Sequence, residues 1–315
     1  MTDYVLLSDI SNGSYLKLAL ARRGERPKEA SHYACNSLES YKTAISDFLE
    51  AHDRPRLAGA AISAAGWERG GIIQLPNHGF SIDRAEMRDF LGIQRINLVN
   101  DFVAKALAIP RLQAGEAQKI CGGEAMDEQV IAVIGPHNGL GMSALAPDGV
   151  GNWTAMPTEG GHSDLAPTCD IEEAVLRVLI GKYGHVSRER VISIPGVVDL
   201  WSALAVIEGD EAMAHSIEEI IALASTGEAR ARQAIDLSMG WFAAMASDVA
   251  LILGARGGVY LAGDLLDMIG DLFDVDAFCR RYADKGRLSD YVSEIPVYRA
   301  LAPDMEIIGL ATLFD

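Results

Sequence analysis

Apolar residues near the start of the chain come in two short runs separated by a polar break. Tyr4 to Asp9 is β-branched and leucine-rich, Ser11-Asn12-Gly13-Ser14 follows, and Tyr15 to Ala21 alternates. Asn-Gly supplies the positive φ angles that a tight turn demands, so the pattern predicts a hairpin. The same grammar returns at Val130 to Gly135, a turn through His137, Asn138 and Gly139, and a second run from Gly141 through Ala146. Two such units predict a duplicated fold. Between them lie a helical stretch, Ser40 to His52, a short strand around Ala58 to Ser63, and the run Ile96 to Val99 ending at Asn100 and Asp101. Beyond Pro167 the spacing turns helical, with Asp170 placed as a cap, Glu173 as its box partner, and Ile171, Ala174, Val175, Val178 and Leu179 in one apolar stripe. A long alanine-rich helix is predicted from about Gly227 to Leu253, stopped by Gly254, before a strand from Gly258 to Ala262 and a turn at Gly263. Strands alternating with helices predict an α/β architecture.

Composition narrows the class without selecting a function. A chain of 315 residues with 49% hydrophobic residues is long enough for two domains. The 44 acidic against 27 basic side chains, a formal charge of −17, would repel a polyphosphate backbone, and no basic patch compensates, so no nucleic-acid partner is expected. Cys35, Cys121, Cys169 and Cys279 lack C-x-x-C spacing and suggest neither a zinc ribbon nor a disulfide framework. The first residues lack a signal-peptide pattern, and no apolar window is expected to span a bilayer. The expectation is a soluble cytoplasmic protein with no membrane partner. Metabolic enzymes, binding proteins and scaffolds all share this profile.

Three polar segments could carry chemistry. In Leu98-Val99-Asn100-Asp101-Phe102 a carboxylate follows a strand and precedes a helix, where ligands of open α/β sheets gather. Asp101 could act on such a ligand, or could simply be the N-cap of a helix from Phe102 to Ile109. Thr158-Glu159-Gly160-Gly161-His162-Ser163-Asp164 combines a carboxylate, an imidazole and two glycines, suiting hydrogen bonds to vicinal hydroxyls; an ordinary surface loop fits as well. A metal site fits it less well, because no second histidine has ligand spacing. Gly184 to Arg190 reads alone as a solvated helix start. The glycine turns at 11–14, 135–141 and 254–264 could cradle phosphate with backbone N–H groups, but none carries the Walker Lys and Ser/Thr.

Taken together these pieces resemble the bacterial glucokinase family of the hexokinase and actin-like superfamily, from Asp9 to Gly309. The matching strings are LVNDFVAKALAIP (Leu98 to Pro110), TEGGHSDLAP (Thr158 to Pro167), GHVSRERVIS (Gly184 to Ser193) and DKGRLSDYVSEIPVY (Asp284 to Tyr298). The resemblance implies a two-lobed, ribonuclease H-like α/β fold with duplicated mixed sheets flanking a cleft. It places a small domain at residues 1–112 with 300–315 and a large one at 113–299. It implies transfer of the ATP γ-phosphoryl group to the 6-hydroxyl of glucose, or of a related hexose, with magnesium, in a cytoplasmic homodimer. Position by position, Asp101 corresponds to the general base, and Asn77, Asn100, Glu159, His162 and Glu189 to the sugar ligands. Asp9 corresponds to the magnesium-side carboxylate. Ser11, Asn12, Gly13, Ser14, Gly135, His137, Asn138, Gly139 and Gly263, with Asp9, occupy the nucleotide-side positions.

The nucleotide side departs from the family pattern. An Asp followed by a Gly-Gly-Thr turn becomes Asp9-Ile10-Ser11-Asn12-Gly13-Ser14, and Gly-x-Gly-Thr-Gly-Leu-Gly becomes Gly135-Pro136-His137-Asn138-Gly139-Leu140-Gly141. Gly263 is followed by Asp264 rather than glycine, and Ala65 and Pro195 also depart. Ser14, the Asn138 amide and a protonated His137 could compensate as phosphate partners. The alternative to a working kinase is a kinase-derived sugar-binding or regulatory protein with weak or no phosphoryl transfer.

Overall fold

The computed structural model describes residues 3–11, 15–66, 68–75, 79–211 and 213–315. The expected ligands Asn12, Gly13, Ser14 and Asn77 lie outside the described residues. In chain order the first elements are β1 (Tyr4–Ile10), β2 (Tyr15–Arg22), β3 (Ser31–Ala34), α1 (Leu38–Ala51), β4 (Leu57–Ala64), β5 (Glu68–Arg69), β6 (Ile72–Leu75), β7 (Phe80–Asp83), α2 (Arg84–Leu91), β8 (Ile96–Asn100) and α3 (Asp101–Ala108). There follow β9 (Ala117–Cys121), β10 (Ile131–Pro136), β11 (Leu140–Pro147), β12 (Trp153–Thr158), α4 (Asp170–Tyr183), α5 (Ile194–Glu208), α6 (Ile217–Ser225), α7 (Ala229–Leu253), β13 (Gly258–Leu261), α8 (Asp264–Ile269), α9 (Val275–Ala283), α10 (Ser289–Ser293), β14 (Val297–Ala300) and α11 (Met305–Thr312). The chain divides into two compact units: Met1–Glu116, Ala155–Pro157 and Ala302–Asp315 form one, and Ala117–Thr154 with Thr158–Leu301 the other.

The two main sheets follow one plan. In the first unit the strand order is β3-β2-β1-β4-β8, with β1 antiparallel to β2 and parallel to β4, and β4 parallel to β8. In the second sheet the order is β12-β11-β10-β13-β14-β9, with β10 antiparallel to β11 and parallel to β13, and β13 parallel to β14. A hairpin followed by two parallel strands thus occurs twice, as the repeated sequence grammar predicts. A small sheet, β5-β6-β7, follows β4 in the first unit.

Period-two alternation gives β1 two buried faces. Leu6 and Ile10 pack with Tyr41, Ile45 and Phe48 of α1, whereas Val5 and Leu7 pack with Ala104 of α3 and with Ile307 and Leu310 of α11. Asp9 shares the second face by the same alternation. Gly309 permits the close approach of α11 to α3, because a Cβ there would lie 1.7 Å from the Ala104 carbonyl oxygen.

The second unit's core centres on α7, which contributes Trp241, Phe242, Met245 and Val249. Glu228 caps α7 by accepting from the Ala231 N–H at 2.6 Å, and Gly254 ends it at φ +58°. By length and composition α7 could cross a bilayer, contrary to the expectation that no window would, but 61% of its apolar window is buried among its own unit's side chains.

Two predicted helix starts move. Helix α1 begins at Leu38 rather than Ser40, because Ser37 is the cap and Ser40 its box partner. The Asp170–Glu173 box does not form: Cys169 stays extended and Asp170 is already helical, too deep to cap. Glu172 reaches back instead and accepts from the Thr168 N–H at 2.7 Å.

Candidate active site

Three neighbouring parallel strands of the first unit end together. Asp9 near the end of β1 lies opposite Ser63 of β4, and Ala64 opposite Asn100 at the end of β8. These strand ends therefore lie side by side where open α/β sheets gather ligands, with Asp9 and Ser63 sharing one face. The Ser63 hydroxyl donates to Asp9 Oδ1 at 2.6 Å, and the Ser11 hydroxyl donates to Oδ1 and Oδ2 at 2.9 and 2.8 Å. Ser11 is thus occupied by Asp9. Burial, reinforced by Glu306 and opposed by Lys17 and the two serines, pushes the Asp9 pKa up to about 7.

The helix cap is Asn100, not Asp101. Asn100 Oδ1 accepts from the Phe102 N–H at 2.8 Å, and its amide donates to the Gly66 carbonyl at 3.0 Å. Asp101 is the first helical residue, and α3 runs only to Ala108 before a 3₁₀ turn at Ile109–Arg111. The capping role is filled one residue earlier, so the Asp101 carboxylate is not spent on it.

Asp101 belongs to a buried charge network. Lys105, one helical turn on, holds its Nζ 3.8 Å from Asp101 Oδ2 and 3.0 Å from Glu306 Oε1. Lys17, opposite Asp9 in the β1–β2 register and hence on the same face, approaches Glu306 Oε2 at 3.4 Å and Asp304 Oδ1 at 3.1 Å. Burial works against the Glu306 carboxylate, but Lys105 and Lys17 outweigh it and hold its pKa at about 2. Burial also opposes both ammonium groups, yet their carboxylate neighbours keep them above the usual lysine range. The Asp101 pKa lies above the usual carboxylate range: burial raises it most, Lys105 pulls it part of the way back, and Glu306 raises it again.

In the second unit an isolated antiparallel bridge, Asp164 to Ser187, ties the loop around His162 to the loop around Glu189. The Arg188 N–H donates to the Ser163 carbonyl at 2.9 Å and the Leu165 N–H to the Val186 carbonyl at 3.1 Å. Gly161 lets this loop meet β11, since a Cβ there would lie 2.1 Å from the Leu140 carbonyl. Glu189 Oε2 consequently accepts from the Leu140 N–H at 2.9 Å and sits 3.9 Å from His162 Nε2. Gly184 to Arg190 is therefore not a solvated helix start: Val186 and Ser187 are buried, and only a 3₁₀ turn, Arg188–Arg190, forms. Glu159 is exposed at the head of another 3₁₀ turn, Gly160–His162.

The turns after β10 and β13 pack on one another. A Cβ at Gly135 would lie 1.1 Å from the Ala262 carbonyl oxygen, and Gly263, at φ +148°, has the Pro136 carbonyl as close neighbour. Both glycines permit this close backbone approach. Across the contact, His137 Nε2 lies 3.2 Å from Asp264 Oδ2, so the two family departures face each other. Asn138 is exposed at the tip.

Lys17, Ser63, Lys105 and Glu306 escaped the reading of the sequence. Asp101 and Lys105 carry a legible signal, since residues four apart share a helix face. Glu306 offers a weaker one, a carboxylate in a short apolar helix.

A family model described as Glucokinase matches residues 6–315. A glucokinase-like protein of Caulobacter vibrioides is 38% identical over 303 residues, covering 96% of this chain and 94% of the relative. A glucokinase of Nitrobacter hamburgensis is 34% identical over 315 residues, covering 99% and 98%. Among solved structures, a glucokinase from an Antarctic psychrotroph superposes with a TM-score of 0.88 at 27% identity, covering 100% of this chain and 99% of that one.

Proposed function

The chain belongs to the glucokinase family, and from that premise we propose that it is an ATP-dependent hexose kinase that phosphorylates glucose at the 6-hydroxyl. Asp101 is the general base: its carboxylate takes the hydroxyl proton as the oxygen attacks the γ-phosphorus, and ADP leaves. The observation that supports this most is the division of labour at the start of α3, where Asn100 caps the helix and leaves the Asp101 carboxylate beside a lysine. Glu159, His162 and Glu189 suit the remaining sugar hydroxyls, because carboxylates accept and an imidazole both donates and accepts. Asn100 keeps one amide hydrogen and one lone pair beyond its two internal bonds, and Asn77 completes the proposed set.

Asp9 is the carboxylate that would face magnesium. Among the described residues no group of three His, Cys, Asp or Glu side chains forms a metal cage. A single carboxylate fits an ion that takes most of its ligands from water and phosphate oxygens. When bound, the ion would neutralise charge on the transferring phosphate. Gly135, His137, Asn138, Gly139 and Gly263, with residues 11–14, are the proposed nucleotide side. The protein is expected to work as a cytoplasmic homodimer.

A second reading, a sugar binder with little phosphoryl transfer, draws support from the His137–Asp264 pair, in which the charge of a protonated His137 is neutralised within the chain. Coupled detection of ADP release across a panel of hexoses, with separate thermal melts in glucose and in magnesium-ATP, tests both. Glucose-dependent ADP release supports the kinase. A glucose-stabilised protein that releases no ADP supports the second reading.

A further inference from the structure

A carboxylate buried without a partner takes up a proton and ceases to be a base at neutral pH. Asp101 faces this difficulty, since its side chain is only 11% exposed. Lys105 offers an answer in geometry: it follows Asp101 by one turn, is 10% exposed, and points its ammonium between Asp101 Oδ2 and Glu306 Oε1. We propose that Lys105 is a positioning residue for Asp101, holding its carboxylate in the proton-accepting form, and that Glu306 sets how strongly Lys105 does so. The inference rests on the reading of Asp101 as the base and deepens it.

The reach of Glu306 follows from its partners. Lys17 and Lys105 grip its two oxygens, at 3.4 and 3.0 Å, so it stays ionised throughout the working range. A permanent negative charge beside Lys105 weakens the field that Lys105 projects on Asp101. Burial disfavours the Asp101 anion, Lys105 favours it, Glu306 opposes it, and the backbone N–H groups of Phe102 and of Asp101 itself favour it. The other charged groups of the network are Lys17 on β2, Asp304 ahead of α11, and Asp9 on β1. None of them replaces Lys105 beside Asp101, because Lys17 is committed to Glu306 and Asp304.

Lys105 and Glu306 therefore act on Asp101 with opposite sign. Two residues that merely held α3 against α11 would, when changed, injure the enzyme alike. The pH dependence of kcat/KM for the sugar reports the proton affinity of the base in the free enzyme. Lys105→Met is expected to move the acidic limb upward by about one to three pH units, the usual effect of a cation at this range. Lys105→Arg should restore most of that shift, since Arg keeps the charge. Glu306→Gln should move the limb downward, because Lys105 then acts on Asp101 unopposed.

The full-length chain serves for every variant, with circular dichroism to verify folding. If Lys105→Met fails to fold, Lys105→Gln takes its place, because Glu306 also raises the pKa of Asp9 and only loss of the Lys105 charge beside Asp101 assigns the limb to Asp101. Limbs that move in the same direction, or that stay in place in folded proteins, overturn the inference. Asp101→Asn in the same series separates the two layers. An inactive Asp101→Asn with unmoved limbs refutes the role of Lys105 only, whereas an Asp101→Asn that turns over normally removes the base reading beneath it.

Discussion

Gly139→Ala, at a position of the proposed nucleotide side, reaches Glu189 on the sugar side through the space its methyl would take. Gly139 is not at positive φ, so alanine fits its backbone, but the added methyl would sit 2.6 Å from Glu189 Oε2 and 3.3 Å from its Cδ. The obstacle is the end of a flexible side chain, and the protein relieves the clash by swinging that carboxylate away. The swing breaks the 2.9 Å bond from the Leu140 N–H and moves the oxygen that lies 3.9 Å from His162. A hydrogen bond to a charged group contributes about 1.5–3 kcal/mol, and alanine for glycine returns about 0.4–1 kcal/mol through the unfolded state. Stability should therefore fall by only about 0.5–2.5 kcal/mol, a drop of several degrees in Tm. If Glu189 holds a sugar hydroxyl, losing that contact raises KM for glucose roughly ten- to hundred-fold, with a smaller change in kcat. Steady-state kinetics over a wide glucose range, alongside a thermal melt, reads both numbers. A folded variant whose KM for glucose stays within about two-fold would refute the placement of Glu189 at the sugar.

Two further outcomes concern the frame that holds Asp101. Gly309→Ala meets backbone rather than a side chain, with its Cβ 1.7 Å from the Ala104 carbonyl, so α11 must move off α3; a loss of about 1–3 kcal/mol or more is expected in urea unfolding, and an unchanged midpoint would contradict the close approach. Glu306 has a folded pKa of about 2 against an ordinary 4.5, so the stability it contributes is present above pH 4.5 and is lost as the pH falls toward 2. Glu306→Gln should flatten the stability curve across that window, measured by denaturant unfolding at a series of pH values, and an unaltered acid slope would show that the network does not hold.

Elements set by local rules were legible and those set by tertiary contact were not. Both hairpins could be read from alternation around polar, glycine-bearing turns, and α7 from an alanine-rich run stopped at Gly254. The start of α4 was misplaced because a cap depends on where the backbone leaves the extended region, here at Cys169, and Asp170 looks equally suitable in sequence. The charge network was illegible for another reason. Lys17 and Glu306 are 289 positions apart and meet only because strand register puts Lys17 beside Asp9 while Gly309 seats α11 against α3. His137 and Asp264 read as two unrelated departures until Gly135 and Gly263 bring their turns together. In sequence Asp101 suits the helix cap as well as Asn100 does, and only hydrogen-bond geometry assigns the cap to Asn100.

The most direct test of the account compares wild type with Asp101→Asn in two measurements: glucose-dependent ADP release, and glucose binding by titration calorimetry. Asparagine keeps the size and hydrogen-bonding reach of aspartate but cannot take the 6-hydroxyl proton. Wild type should release ADP in step with glucose 6-phosphate, and Asp101→Asn should lose at least about a hundred-fold in turnover while binding glucose within about ten-fold of wild type. An Asp101→Asn variant that keeps most of the wild-type turnover would contradict the reading of Asp101 as the base.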